Sequence, residues 1–411
     1  MRVCFPVVSL LIAAPLLANG ARGELKAGAA IVDVSPTSFP VLVNGGMSSR
    51  STSDVVTPIN ARAIVVDGGG QRIGIVVVDS CMMGRPLLDE AKLLASRKTQ
   101  IQPDHILISA THTHTAPASM GCLGTDADET YQPVLRAGIV EALVRAEENL
   151  EPARVGWAVE NAADFTALRR WIRRPDRLQE DPFGDMTVRA NMHAGRVWDD
   201  VVGESGPEDP DLSIISLQAT NGRPIALLAN FSMHYFSGQK PLAADYFGIY
   251  CDGLQESLGH KDDKHPPFVA AMSHGCSGDI WRRDYTKPEA EWDPYPTIDE
   301  FATGLQHMTE KAYESIDYDP TADVAMAEAR VQLKYRVPTA ARLKWAQEVV
   351  EELGDRPPKT KTEVYAREAI ILHERQSTEV VVQGLRIGDI GIATTPVSYT
   401  HLTLPTKRRR G

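Results

Sequence analysis

His105-Ile106-Leu107-Ile108-Ser109-Ala110-Thr111-His112-Thr113-His114-Thr115 is the stretch on which the reading of this chain turns. Its apolar half, in a segment bounded by Pro103 and Pro117, has the length and composition of a buried strand. Histidines at i and i+2 on an extended segment project to one face. His112 and His114 should therefore leave the strand end together, where open α/β sheets place their ligand crevices. Imidazole is a common zinc ligand. As a purely structural feature, the same two rings would be satisfied by backbone groups.

The pattern recurs, and the recurrence points to a site. Ile73–Val78 ends in Asp79-Ser80. Pro224–Phe231 ends in Ser232-Met233-His234-Tyr235. Phe268–Met272 ends in Ser273-His274-Gly275-Cys276-Ser277-Gly278-Asp279. Four apolar runs, each followed at once by groups that bind metal or move protons, are what a pocket at one end of a sheet requires. Asp79 reads as a residue that orients a ligand or caps a helix at least as readily as a direct metal ligand. As a purely structural feature, His274 would only hydrogen-bond the glycine-rich turn. Gly275 and Gly278 supply either positive φ or N–H donors for an oxyanion. Arg169, Arg170, Arg173, Arg174 and Arg177 read as a solvated face, one member of which could hold a substrate oxygen.

Around these ends the chain alternates strands with helices and mixes in hairpins. Ala61–Asp67 and Ile73–Asp79 flank Gly68-Gly69-Gly70, a hairpin turn. Helical spacing marks 86–96, 130–150, 249–258, 298–316, 340–353 and 363–375, and strands are expected at 28–35, 155–159, 213–217 and 324–335. Glu379–Ala393 reads as a hairpin around Gly384, and 176–210 as a polar surface insertion. The fold class is α/β, a layered domain with mixed β-sheets flanked by helices and a metal site at strand C-terminal ends. There is no Gly-x-Ser-x-Gly elbow, no P-loop and no His-Glu-x-x-His.

The 411 residues are 43% hydrophobic and 24% charged, an ordinary globular composition, and the net charge of −11 argues against a nucleic-acid partner. Residues 1–23 have the form of a secretory signal: Arg2, an apolar run from Phe5 to Leu17, then small residues. The apolar run is shorter than the roughly 20 residues a membrane span needs. The mature protein is thus expected to be secreted or periplasmic, without a transmembrane segment. Cys81, Cys122, Cys251 and Cys276 match no disulfide scaffold and are expected as thiols.

Several of these stretches resemble the N-terminal catalytic domain of the neutral/alkaline non-lysosomal ceramidase family, in its short exported bacterial form. They are Ile108-Ser109-Ala110-Thr111-His112-Thr113-His114-Thr115-Ala116-Pro117, Asn230-Phe231-Ser232-Met233-His234, Ser277-Gly278-Asp279, Asn60-Ala61-Arg62-Ala63 with the strand ending at Asp79, and Gly388-Asp389-Ile390-Gly391-Ile392-Ala393. The resemblance runs from about Gly28 to Pro396. It implies that zinc is held by His112 and His234, that His114 faces substrate beside it, and that Arg169 is an active-site arginine. It also implies cleavage of a carboxamide by a zinc-activated water. The chain departs from the family at two places. A family serine is Trp281 here, and Ser398 stands where a glutamate ligand is expected; a tyrosine ligand lies beyond.

The expected organisation is therefore a signal peptide (1–23), a ceramidase-like catalytic domain (24–396) and a non-native tail (397–411) that resembles translated adapter sequence. The expected activity is hydrolysis of a small-molecule or lipid N-acyl amide with Zn2+ as cofactor and no obligate protein partner. Weak zinc retention and low activity are expected for the chain as written. The site comprises His112 and His234 at the metal, with His114, Arg169, Asp79 and Asp279 in catalysis or support. Gly275, Ser277, Gly278 and Trp281 form a substrate or oxyanion loop. Rival readings are an exported binding protein on a degenerate hydrolase scaffold, with Trp281, Arg282 and Arg283 as recognition residues, and a metal phosphoesterase.

Overall fold

The computed structural model describes residues 24–236, 241–260 and 264–396. The signal-peptide reading, the tail reading and Ser398 lie outside the described residues.

The main sheet is built from β1 (Lys26–Asp33), β2 (Asn60–Asp67), β3 (Arg72–Val78), β4 (Ile106–Ala110), β5 (Glu151–Asn161), β6 (Asp211–Ala219), β7 (Pro224–Phe231) and β8 (Val269–His274). Their order is β8-β7-β6-β5-β1-β2-β3-β4, with Tyr318–Asp319 added beside β5. The two outermost pairs, β3–β4 and β7–β8, are parallel and the pairs between them antiparallel. The sheet is mixed, as the sequence predicts. It also curls: β8 lies against β4, β3 and β2, so the two edges face each other.

Both faces of this sheet are covered, which is why its strands read as unbroken apolar runs rather than alternating ones. In β2, Ala61, Ala63 and Val65 face α1 (Arg85–Ser96) and α2 (Gln132–Glu148), while Ile64 and Val66 face the inside of the curl. In β7, Leu227, Ala229 and Phe231 face α3 (Asp245–Leu258) and α4 (Ile298–Tyr313), and Ala226 and Leu228 face inward. Prolines in the first turns of α1 and α2 and the Thr297/Glu300 capping box of α4 set the helix starts.

A second sheet, β9 (Val324–Lys334), β10 (Ser377–Ile387) and β11 (Ile390–Thr394), packs Val324, Met326, Leu385 and Ile387 into the same inner core. The helices α5 (Ala340–Leu353) and α6 (Lys361–Arg375) lie between β9 and β10. The final hairpin does not turn at Gly384, which pairs with Ala393 in mid-strand. It turns at Gly388-Asp389, where Gly388 has φ of 58°. The 176–210 segment is more than a surface loop. Arg170–Arg173 forms the middle of a three-stranded sheet with Ala190–Met192 and Val201–Glu204, organised around Trp171, Ala194, Val201 and Tyr285. Three- and four-residue strands leave no periodic signature. Among the described residues no cysteine forms a disulfide, and no helix is long and apolar enough to cross a membrane.

Candidate active site

The parallel register aligns the strand ends: Val78 pairs with Ala110, and Phe231 with His274. Four histidines follow, two from each edge of the curled sheet. The ring centroids of His112 lie 4.8 Å from His114, 4.6 Å from His234 and 5.1 Å from His274, and those of His114 and His234 are 5.0 Å apart. His112 is not on an extended segment. The strand ends at Ala110, and His112 sits in the left-handed region at φ of 69°, a conformation that non-glycine residues adopt at a cost and often at functional sites. The threonines hold this turn: the Thr113 and Thr115 hydroxyls both donate to the Ala243 carbonyl, at 3.0 and 2.9 Å.

Hydrogen bonds fix how the rings present their nitrogens. His112 Nδ1 is 2.8 Å from the Cys81 carbonyl and His114 Nδ1 is 2.8 Å from the Gly45 carbonyl. A carbonyl only accepts, so each Nδ1 carries the proton and each neutral Nε2 exposes a lone pair. Those two Nε2 atoms are 3.2 Å apart. Burial pushes all four histidines down, His114 to about 3, with Arg169 adding to the effect at His112 and His234. Two neutral imidazoles with lone pairs face to face require a cation between or beside them. The spacing is close to the ~3.3 Å edge of a tetrahedron with Zn–N bonds of about 2.0–2.1 Å. One ion could take both nitrogens, or a hydrated ion could be ligated by one and hydrogen-bonded through its water by the other.

On the other edge, the Ser277 hydroxyl lies 3.3 Å from His234 Nδ1 and also bonds His274 Nε2. His274 Nδ1 is buried without a hydrogen-bond partner. Cys81, His112 and His114 offer three ligand atoms within 4.8 Å of one another. The Cys81 sulfur, however, stands 4.0 Å from His112 Nδ1, the nitrogen that already donates to a carbonyl, and burial pushes the thiol up to about 12. The histidine nitrogens are the better donor set.

No protein-family model matches the chain. Among curated proteins, neutral ceramidase A of Dictyostelium discoideum is 24% identical over 274 residues, covering 62% of this chain and 35% of that protein. Neutral ceramidase B of the same organism is 26% identical over 277 residues, 62% of this chain and 34% of that protein. The neutral ceramidase of Pseudomonas aeruginosa is 22% identical over 240 residues, 54% of this chain and 31% of that protein. The crystal structure of the Pseudomonas aeruginosa neutral ceramidase superposes with a TM-score of 0.59 at 16% identity, over 90% of this chain and 62% of that one. A ceramidase complexed with C2 superposes with a TM-score of 0.61 at 15% identity, over 90% and 63%. The chain is thus similar to neutral ceramidases over part of its sequence and shares their fold. Its matched stretch covers about a third of the length of these curated relatives.

Within this ceramidase-like fold the expected site residues separate into two sets. His112, His114, His234, Ser277, Gly278, Trp281 and Arg169 come together. Trp281 is buried and stands 5.2 Å from Tyr235, which stacks on His114 at 3.7 Å. The Arg169 guanidinium lies over Trp281 and its Nη2 donates to the Gly278 carbonyl at 2.9 Å. Asp279 is buried; its carbonyl accepts the Arg169 N–H, and its carboxylate acts on that guanidinium electrostatically.

Asp79 leaves the set. Its Oδ2 accepts from Arg62 at 2.6 Å and from the Asn60 N–H at 3.0 Å, so it ties β2 to β3 and touches no histidine. Gly275 is not an oxyanion donor, because its N–H is bonded to the Phe231 carbonyl, and neither Gly275 nor Gly278 has positive φ. Gly275 is required by packing: a Cβ there would lie 2.3 Å from the Ser232 hydroxyl. Three participants carry no role in the sequence reading. Tyr235 packs on His114. Gly45 (φ of 99°) lets the chain approach so closely that a Cβ would meet His114 at 2.4 Å. His193 reaches the pocket from the 176–210 segment. Of the three, only Tyr235 had a visible signal, its place directly after His234 at a strand end.

Proposed function

We propose that this chain is a zinc-dependent hydrolase that cleaves the carboxamide bond of an N-acylated amine, a ceramide-like lipid being one such substrate, and that it acts after export. The observation that carries the reading is the pair of neutral, buried Nε2 lone pairs of His112 and His114, 3.2 Å apart. His112 and His234 would hold the ion through Nε2, each with its Nδ1 engaged behind it, by the Cys81 carbonyl and the Ser277 hydroxyl. When bound, zinc polarises the amide carbonyl and acidifies a water. His114 Nε2 would present a lone pair to a proton beside the ion, and Tyr235 stacks on its ring. Trp281 and Tyr235 exclude solvent from one side, and Arg169 offers N–H donors to a substrate oxygen. The relatives' names support an amide substrate, and the form of residues 1–23 supports export.

The test is zinc titration of the purified chain with a competing chelator, alongside turnover of a fluorogenic N-acyl amine. Binding should saturate at about one ion per chain. His112→Ala and His234→Ala should weaken it at least tenfold, and His114→Ala should keep the ion while abolishing turnover. A chain that neither binds zinc nor turns over any acyl amide would end the reading. Loss of zinc in His114→Ala would move that residue from base to ligand.

A further inference from the structure

Four arginines are buried among the described residues: Arg62, Arg169, Arg173 and Arg282. Three are ion-paired, Arg62 with Asp79, Arg173 with Asp200 and Arg282 with Asp293. Arg169 has no carboxylate partner within ion-pair distance among the described residues. Its only side-chain bond is from Nη2 to the Gly278 carbonyl, and its Nε is buried without any partner. The Asp279 carboxylate acts on it only from beyond ion-pair distance, and a buried guanidinium with unfilled N–H donors is costly unless a ligand completes it. Burial pushes it down to about 10, so it still carries its charge at neutral pH.

Arg169 is also held in place from two sides. Its N–H donates to the Asp279 carbonyl, and its own carbonyl accepts from the His193 N–H. His193 has φ of 63° and closes over the same pocket, 5.7 Å from Trp281. Arg196 Nε lies 3.3 Å from the Tyr285 oxygen, which is 2.7 Å from His193 Nδ1. The Tyr285 oxygen thus links Arg196, which donates to it, to the His193 ring. The neighbourhood of Trp281 thus gathers Arg169 and Arg282, with Arg196 over the nearby Tyr285, in a chain whose overall charge is −11.

We propose that Arg169, with His193 beside it, binds an oxyanion carried by the substrate close to its amide bond, so that the preferred substrates are N-acylated amines bearing a carboxylate, sulfonate or phosphate. This rests on the amide-hydrolase reading for the bond that is cleaved; the anion site itself does not. Guanidinium–oxyanion pairs are bidentate and charge-assisted, and a neutral hydroxyl cannot replace them.

The experiment compares two probes of matched length, N-lauroylglycine and N-lauroylethanolamine, by calorimetric binding and by turnover with zinc, on the full chain. The wild type should bind the carboxylate about 10- to 100-fold more tightly. Arg169→Gln should bring that ratio near one, whatever it does to the affinity for the neutral probe, and Arg169→Lys should restore part of the preference. Equal affinities in the wild type, or a preference that survives Arg169→Gln in a folded variant, would overturn the proposal. The two readings fail separately. A preference lost in Arg169→Gln without hydrolysis of either probe keeps the anion site and removes the hydrolase. Hydrolysis of both probes at equal kcat/KM keeps the hydrolase and removes the anion site.

Discussion

Arg62 and Arg169 are both buried arginines beside strand ends, and they differ in what meets them. Arg62 is met by Asp79 at 2.6 Å; burial opposes its charge and the carboxylate more than restores it, holding the guanidinium above its ordinary value. Arg169 meets a carbonyl, a tryptophan face and three histidines that burial keeps neutral. The first environment is closed on itself, and the second is complete only with something added. A buried charge with its partner holds two strands together, whereas one without a partner marks the place where a ligand belongs.

The largest expected effect breaks the first environment. Asp79→Ala leaves Arg62 buried with only the exposed Asp252, 3.7 Å away, as counter-charge and should lower stability by about 3 kcal/mol in a denaturant titration. A loss below about 1 kcal/mol would show that the pair is not what ties β2 to β3. An intermediate effect sharpens the contrast through pH. Burial holds His114 at about 3 and His193 at about 4, against about 6.5 in the unfolded chain. The unfolded state therefore binds more protons below pH 6.5, so this stability is present above 6.5 and drains as pH falls towards 3 to 4. Thermal midpoints of the metal-free protein should drop between pH 7 and 4, and less steeply in a His114→Gln, His193→Gln variant; a flat profile would contradict the burial of these rings. The smallest effect is the converse of the first. Arg169→Met removes a charge that no carboxylate meets within ion-pair distance among the described residues and should leave stability within ~0.5 kcal/mol of the wild type, or raise it. A loss as large as that of Asp79→Ala would make Arg169 a structural residue.

The contrast also explains what was legible in the chain. The runs at Ile73, Ile106, Ile225 and Phe268 announce themselves because both sheet faces are buried, and the polar residues at their ends follow directly. The mixed sheet and the gathering of His112, His114 and His234 could be read on that basis. Asp79 was misassigned because position at a strand end does not say which way a carboxylate turns; Arg62, 17 residues upstream, decides that across the ladder. His193 was invisible, since its place depends on a small sheet of three- and four-residue strands and on a backbone conformation no pattern encodes. Gly384 attracted the hairpin turn that Gly388 makes, because two glycines four residues apart are equivalent until register is known.

The curl of the main sheet has one more consequence. β4 and β8 are edge strands, each laddered on one side only, and an open edge is a template for pairing with another chain. Here the edges look at each other across the histidines, and Gln383 caps the Ile106 carbonyl of β4 from the second sheet at 3.0 Å. His112 and His234, roughly 120 residues apart in sequence, stand on opposite sides of that seam, so whatever ties them together also closes a very long loop. The chemistry thus sits on the seam between the two edges of one sheet.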